Sequence, residues 1–532
     1  MVPVSSTSKV EDGAVSKLNE RMTSLEQIQE TFRQTGCRYA EYYLTYAQAS
    51  NGRFLALTEE RENILGALHY ADERPGLWRL FVETSASIHD YMATQGYWEG
   101  WEEILSTAVS ISRKVNLREH EADLLTKLGG LLIDRGFYEK AENCLSQALE
   151  LFSKVPSISR TVRAYAKRHL ATLRLRTGRP EQALRLLQEA LDSLTDGEMI
   201  LKGNLLLHQA NVHYSMGNSQ LALSTLQEAE RIFSANNEQR YLAGVFNLYG
   251  LIYRSTSTYN KAVDYFVRAL AMFQAVGNKS ACATVHSNLG FTLWTMGEFQ
   301  DAARHLGLSL KIAREIGYQR MVASSYGNLG LVYMDLGDFG ESLNCFNAQI
   351  RICQEVGDTR EYGRAVGNLG ILYYHTGDFQ QALRCLDVDR DILLSSGVEA
   401  SETLVYNSAY RGLAYYGLGD IDKASSQIQE ALEMSRGVGS RTVEILALRG
   451  MARIVPDESK AYLEEALRLA TSLKKTLDIG VCRFEIGLLA DHIDREEREK
   501  LLNEALTIFE NLSARSWLEK AVIALRDLQS DQ

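Results

Sequence analysis

The segments His286-Ser-Asn-Leu-Gly-Phe, Tyr326-Gly-Asn-Leu-Gly-Leu and Val366-Gly-Asn-Leu-Gly-Ile repeat in register within residues 281–397. Asn288, Asn328 and Asn368 stand 40 residues apart, as do Gly290, Gly330 and Gly370. Two further glycine series keep the same step: Gly297, Gly337 and Gly377, and Gly277, Gly317, Gly357 and Gly397. Self-similarity at such a period, with helical patterning inside it, marks an all-α solenoid of paired helices. From Thr284, the residues Ser287, Asn288, Phe291, Trp294 and Thr295 recur at three- and four-residue steps and share one helix face. Met296-Gly297-Glu298 ends that helix, glycine being the usual left-handed cap. A second helix follows with Ala302, Leu306 and Leu310 turned inward. A mid-helix glycine costs up to about 1 kcal/mol relative to alanine. Three of them at one register therefore predict that the second helix packs closely there.

Outward from this stretch, turn positions continue at Gly96, Gly136, Gly178, Gly217, Ser257, Gly297, Gly337, Gly377 and Gly419. The second helix carries a small residue at Ala141, Ala183, Ala222, Ala262, Ala302, Ser342, Ala382 and Ala424. Beyond Val438 the pattern weakens, but Ala461-Tyr-Leu-Glu-Glu-Ala-Leu and Leu501-Leu-Asn-Glu-Ala-Leu still read as second helices, preceded by turns at Ile454-Val-Pro-Asp and His492-Ile-Asp-Arg. The expected fold is an all-α, right-handed superhelical α-solenoid of about eleven helix-turn-helix repeats. Its expected divisions are a disordered tail over 1–19, an N-terminal helical cap over 20–85, the superhelix over 86–437, and degenerate closing repeats with a cap over 438–532.

These units resemble the tetratricopeptide repeat (TPR) family. Its small residue in the first helix fits Gly290, Gly330 and Gly370. Its aromatic three residues later fits Tyr333 and Tyr373, with Leu293 substituting. Its small residue in the second helix fits Ala302, Ser342 and Ala382, while its usual closing proline is replaced by glycine. The longer repeat with Asn-Leu-Gly looks most like the variant in kinesin light chains, G-protein-regulatory adaptors and bacterial peptide-receptor regulators. Nearer the N-terminus, Tyr39-Ala-Glu-Tyr-Tyr-Leu and Glu59 to Ala71 read as amphipathic helices joined at Ser50-Asn51-Gly52. They resemble the opening of the C-terminal TPR sensor of bacterial STAND-type signalling NTPases, with Glu62-Asn63-Ile64-Leu65, Ala67, Leu68 and Ala71 as the matching helix. A plain N-terminal cap accounts for the same residues.

Several function classes find no support. A net charge of −11 argues against a nucleic-acid-binding face. The seven cysteines form no CxxC pair, and Cys345 and Cys385 occupy equivalent slots, so they read as buried thiols in a reducing compartment. Residues 1–12 lack the apolar core of a signal peptide, and no apolar run approaches the roughly 18 residues that span a bilayer. A cytoplasmic location is expected. Gly277-Asn-Lys-Ser fails as a phosphate loop, because Met272 stands where the leading glycine belongs and a helix precedes it. The STAND family's NTPase engine is thus missing from this sequence. His208 and His213 are spaced poorly for a shared helix face, and Asp387/Asp389 and Glu464/Glu465 read as solvated faces. No catalytic residue, metal site or cofactor is expected.

The repeated asparagine face remains. The resemblance implies that it lines the concave groove and that its amides hold a peptide backbone, each offering a donor and an acceptor. The candidates are Asn288, Asn328 and Asn368, with Arg364 one turn earlier, flanked by Phe291, Trp294, Tyr374 and His375. The alternative gives the asparagines a packing role, setting repeat pitch, and Trp294 a place in the core. Leu248 and Tyr410 occupy the asparagine slot at the flanks, and Asn247 lies one residue early, which confines any ladder to the middle repeats. The sequence thus points to a non-enzymatic module for a protein or peptide partner, a sensor or adaptor whose effector lies on another chain. Other readings are a scaffold that binds through its convex face or ends, a peptide-pheromone receptor, and an enzyme with an unrecognised site.

Overall fold

The computed structural model describes residues 8–50, 53–195, 197–395, 401–489 and 493–530. Among them are 27 α-helices and two short 3-10 helices, with no strand. Asn51, Gly52, Gly397 and His492, assigned to turns above, lie outside the described residues, as do residues 1–7 of the expected tail. From Ser8 the backbone is helical.

Residue contacts group the chain into two compact units. The first comprises Met1–Ala93, Tyr97–Leu131 and Glu142–Ala166. Its long helix Ser8–Ala49 packs on Arg61–Asp72 and Trp78–Ser87, burying Leu44, Ile64, Leu68 and Phe81. Tyr39 Oη donates to the Asn63 carbonyl at 3.0 Å, and Gln48 Nε2 donates to Thr84 Oγ1 at 3.0 Å. These bonds fix the register of the three helices.

The second unit comprises Thr94–Gly96, Leu132–Ala141 and Lys167–Gln532. From Lys279 onward its helices form pairs. Repeat I is Lys279–Met296 with Phe299–Glu315, repeat II Gln319–Leu336 with Phe339–Val356, and repeat III Thr359–Thr376 with Phe379–Ser395. Repeat IV is Glu402–Gly417 with Ile421–Val438, repeat V Arg441–Ile454 with Ser459–Ser472, and repeat VI Thr476–Leu489 with Arg495–Leu512. A final helix, Arg515–Ser530, follows. In each pair the first helix is called A and the second B.

The glycines do what their register requires. A Cβ on Gly330 would stand 2.5 Å from Cε1 of Phe346, a fully buried ring of helix B. Helix A can reach helix B there only without a side chain, and burial of the ring contributes about 1.5–3 kcal/mol in return. The turn after helix A of repeat II needs φ of +84° at Gly337. Where the sequence offers serine instead, at Ser257, the backbone still takes φ of +56°, an uncommon conformation for a non-glycine residue.

Between the helices of repeats I to III runs a buried polar seam. Ser309, Gln349 and Asp389 stand 40 residues apart on successive B helices, each under 5% exposed. Ser309 Oγ donates to the Ala283 carbonyl at 2.7 Å. Gln349 faces Gly327 and makes no side-chain hydrogen bond. Asp389 faces Gly367, and its Oδ2 accepts from Asn407 Nδ2 at 2.9 Å.

The closing repeats return onto the central ones. One hydrophobic cluster joins Phe299, Leu306 and Val332 of repeats I and II with Phe484 and Phe509 of repeat VI and Ala521 of the final helix. Gln300 Nε2 donates to Ser513 Oγ at 3.0 Å, and Arg515 pairs with Asp338 at 3.0 Å. The degenerate repeats are thus a wall built against repeats I and II.

Candidate functional site: an aromatic cavity inside the repeats

Lined by repeats I to VI, the final helix and Tyr259 just before repeat I is a cavity of about 780 Å³ that opens to solvent. Its wall follows the period of the sequence. Phe291, Leu331, Ile371 and Leu413 form one row; Trp294, Met334, Tyr374 and Tyr416 form a second; Thr295, Asp335, His375 and Gly417 form a third. Each row steps by 40 residues and then by 42, so the A helices of repeats I to IV present equivalent positions to the same space. Tyr410 packs edge-on against Tyr374 and Tyr406, at centroid distances of 5.4 and 5.0 Å, and Phe291 lies 5.1 Å from Trp294. Such contacts hold the rings as a rigid lining.

Two polar groups sit in this lining. Asp335 Oδ2 accepts from Trp294 Nε1 at 2.7 Å. Burial pushes its carboxyl up to about 7; the indole bond opposes this, Asp478 adds to it and Lys475 offsets part of it. His375 is driven down to about 3 by burial and by Lys520, Arg449 and Arg453, so its ring is neutral at pH 7.

The opposite wall is ionic. Arg449 donates to both oxygens of Glu485, at 2.8 and 3.0 Å. Arg453 donates to Glu485 at 2.6 Å and to Tyr374 Oη at 2.8 Å. Burial disfavours the Glu485 charge, but the two guanidinium groups outweigh it and hold the carboxyl at about 2. Lys520 stands over the Trp517 ring, 4.6 Å from its centroid.

Tetratricopeptide repeat models match residues 120–196, 241–315 and 321–387, the last two covering repeat I and most of repeats II and III. These segments are tetratricopeptide repeats. A model described as anaphase-promoting complex subunit 5 also matches residues 172–252 and 370–452 of the tetratricopeptide array. No curated protein matches the sequence. Among solved structures, a Rap protein complexed with competence and sporulation factor is 12% identical, over 70% of this chain and 98% of its own, with a TM-score of 0.47. The apo quorum sensor NprR from B. thuringiensis is 14% identical, over 68% and 97%, at 0.42. A STAND protein with a tetratricopeptide repeat sensor from Pyrococcus horikoshii is 14% identical, over 65% and 54%, also at 0.42.

Of the eight candidates, the tetratricopeptide geometry brings five together: Phe291, Trp294, Asn368, Tyr374 and His375 all line the cavity. The other three are engaged elsewhere. Asn288 Nδ2 donates at 3.0 Å to Asn247 Oδ1 on helix Gln239–Ser255, which lies before repeat I, and buried Asn328 donates at 3.3 Å to Ser287 Oγ on helix A of repeat I, so each amide reaches back one helix pair. The off-register Asn247 is the acceptor of that first rung. Arg364 Nε donates to Glu361 Oε2 at 3.0 Å, one turn earlier on its own helix.

The sequence reading passed over Asp335, Tyr406 and Tyr410 as cavity groups, and the wall from Arg449, Arg453, Lys475 and Lys520. Extending the period from Thr295 and His375 would have found Asp335. The ionic wall carries no such signal, because repeats V and VI have lost the period.

Among the described residues, no helix is long and apolar enough to cross a membrane, and no group of three His, Cys, Asp or Glu side chains converges as metal ligands would.

Proposed function

We propose that this chain is a non-enzymatic binding module that takes a peptide segment of a partner into the cavity of its tetratricopeptide repeats. The observation that carries the reading is the wall itself, three rows of equivalent positions turning aromatic and polar side chains onto one space. Structural packing alone asks only that such positions be apolar; here they include Asp335 and His375, and Asn368 lines the same space. The volume lies within the range of about 300–1,000 Å³ of ligand sites, so it admits a short segment rather than a folded domain. Asn368, which has no ladder partner, is the amide left to pair with a peptide unit.

The resemblance of residues 39–71 to the opening of STAND sensors supports a sensor or adaptor in a bacterial signalling or defence pathway, acting in the cytoplasm with its effector on another chain. In this reading residues 438–532 supply the far wall of the site. The test is a pull-down from the native host with wild type and the Asn368→Ala, Tyr374→Ala variant, read by mass spectrometry. A partner retained by wild type and lost from the variant supports cavity binding. An identical partner set with both moves binding to another surface.

A further inference from the structure

The cavity's two polar walls differ in how far they are already satisfied. Glu485 is saturated, with two guanidinium groups on its two oxygens. Asp335 is not. Its Oδ2 takes the Trp294 indole, and among the described residues Oδ1 accepts no hydrogen bond. Lys475, whose charge favours the ionised form of Asp335, lies 3.8 Å from Asp478, so one ammonium serves two carboxylates on this side. Around Asp335 the lining is aromatic, with Trp294, Phe291, Tyr406 and Tyr410. A carboxylate among aromatic rings suits a cation twice over, through charge pairing and through the negative ring faces. A half-buried carboxylate without a full counter-charge is disfavoured, and a ligand cation removes that penalty.

We propose that the cavity receives a primary ammonium group of a peptide, either its N-terminus or a lysine side chain, on Asp335 between the aromatic walls. The inference rests on the cavity-binding reading above and names the group recognised there. Asn368, on the same wall, is placed to hold the adjoining peptide unit.

The protonation state of Asp335 then governs binding. The charged and titratable groups that share its cavity are Tyr374 and His375 of repeat III, Glu402, Tyr406 and Tyr410 of repeat IV, Arg449 and Arg453 of repeat V, Lys475 and Asp478 of repeat VI, and Lys520 of the final helix. His375 stays neutral down to about 3, burial lifts Tyr406 to about 12, and burial also raises Tyr410 well above the usual phenol range. With Asp335 near 7, its ionised fraction drops about tenfold between pH 8 and pH 6, and the affinity of an ammonium ligand drops with it.

Three pentapeptide libraries test this on the immobilised full chain: lysine-free with free N-termini, N-acetylated with one lysine each, and N-acetylated without lysine. Wild type is expected to retain the first or the second at least tenfold over the third at pH 8, with that margin narrowing by about tenfold for lysine, or about fourfold for an N-terminus that is itself about half protonated at pH 8, when the pH falls to 6. The library retained distinguishes N-terminus from lysine. Asp335→Asn, whose amide oxygen still accepts from Trp294, should erase the difference while melting at or above the wild-type temperature at pH 8. Equal retention of the third library, equal retention by Asp335→Asn, or no retention of any library overturns the proposal. Loss of the native partner from Asn368→Ala, Tyr374→Ala, together with equal retention of the blocked library, would remove this inference and leave cavity binding standing.

Discussion

We predict that Asp389→Asn stabilises the protein at neutral pH and not in acid. Asp389 is 4% exposed, its Oδ2 takes one hydrogen bond from Asn407, and its Oδ1 takes none. Burial lifts its carboxyl from 3.8 to about 6, the Asn407 bond offsetting part of the rise. The sign follows from proton linkage. Below 3.8 both folded and unfolded forms hold the proton, and there is no penalty. Between 3.8 and about 6 the unfolded chain releases it first, so stability falls as pH rises, and above about 6 the full penalty is present. The displacement corresponds to about 3 kcal/mol, an upper bound for what a neutral isostere recovers. An amide also puts a donor where two orphan acceptors now sit, Asp389 Oδ1 and Asn407 Oδ1. Urea unfolding of both proteins from pH 4 to pH 8, with amide exchange in helices Phe379–Ser395 and Glu402–Gly417, measures the difference. A gain of about 1–3 kcal/mol at pH 7.5 that vanishes near pH 4 is expected. A pH-independent difference, or a loss at pH 8, would refute the assignment of Asp389 as an unsatisfied carboxylate.

Gln349→Met should also stabilise, by about 1–2 kcal/mol, since both polar atoms of the buried amide lack partners; a loss in chemical unfolding would show that the amide is satisfied. Gly337→Ala and Gly377→Ala share the strain of a left-handed turn, at φ of +84° and +85°, about 1–2 kcal/mol each. A Cβ at Gly337 would also come 2.8 Å from the Ser516 backbone nitrogen, whereas none lies near Gly377. Only Gly337→Ala should therefore speed amide exchange in the final helix, and equal exchange would deny that the helix seats on this turn. Asn328→Ala should lower stability by about 1 kcal/mol without changing partner affinity, and Asn368→Ala should do the reverse; thermal melts and binding titrations together separate the two roles.

The contrast between those two asparagines shows where sequence reading stops. The period of 40 made the helix pairs, their turns and the cavity-facing rows legible, because every unit solves the same packing problem with the same residues. Phe291, Trp294, Tyr374 and His375 were found in this way. The period could not show that Asn288 and Asn328 spend their amides on the preceding helix pair while Asn368 keeps its own for the cavity. That depends on what stands one repeat earlier: Asn247 and Ser287 offer oxygen acceptors, whereas Gly327, in the slot equivalent to Ser287 before Asn368, offers no side chain. The far wall was less legible still. Arg449, Arg453 and Glu485 meet through tertiary folding of degenerate units, across 36 residues or fewer in sequence but with no repeated spacing to announce them.

The bond between Gln300 and Ser513 joins residues 213 apart. In an open array each unit meets only its neighbours, so units can be gained or lost without disturbing distant ones. Between these two residues that freedom is gone. Removing or adding one 40-residue unit there would carry Ser513, Arg515 and the final helix away from Gln300, Asp338 and Gly337. The array therefore keeps count of its own repeats. Descendants of this protein can vary the residues that face the cavity, but duplication or deletion of a unit between Gln300 and Ser513 breaks this closure.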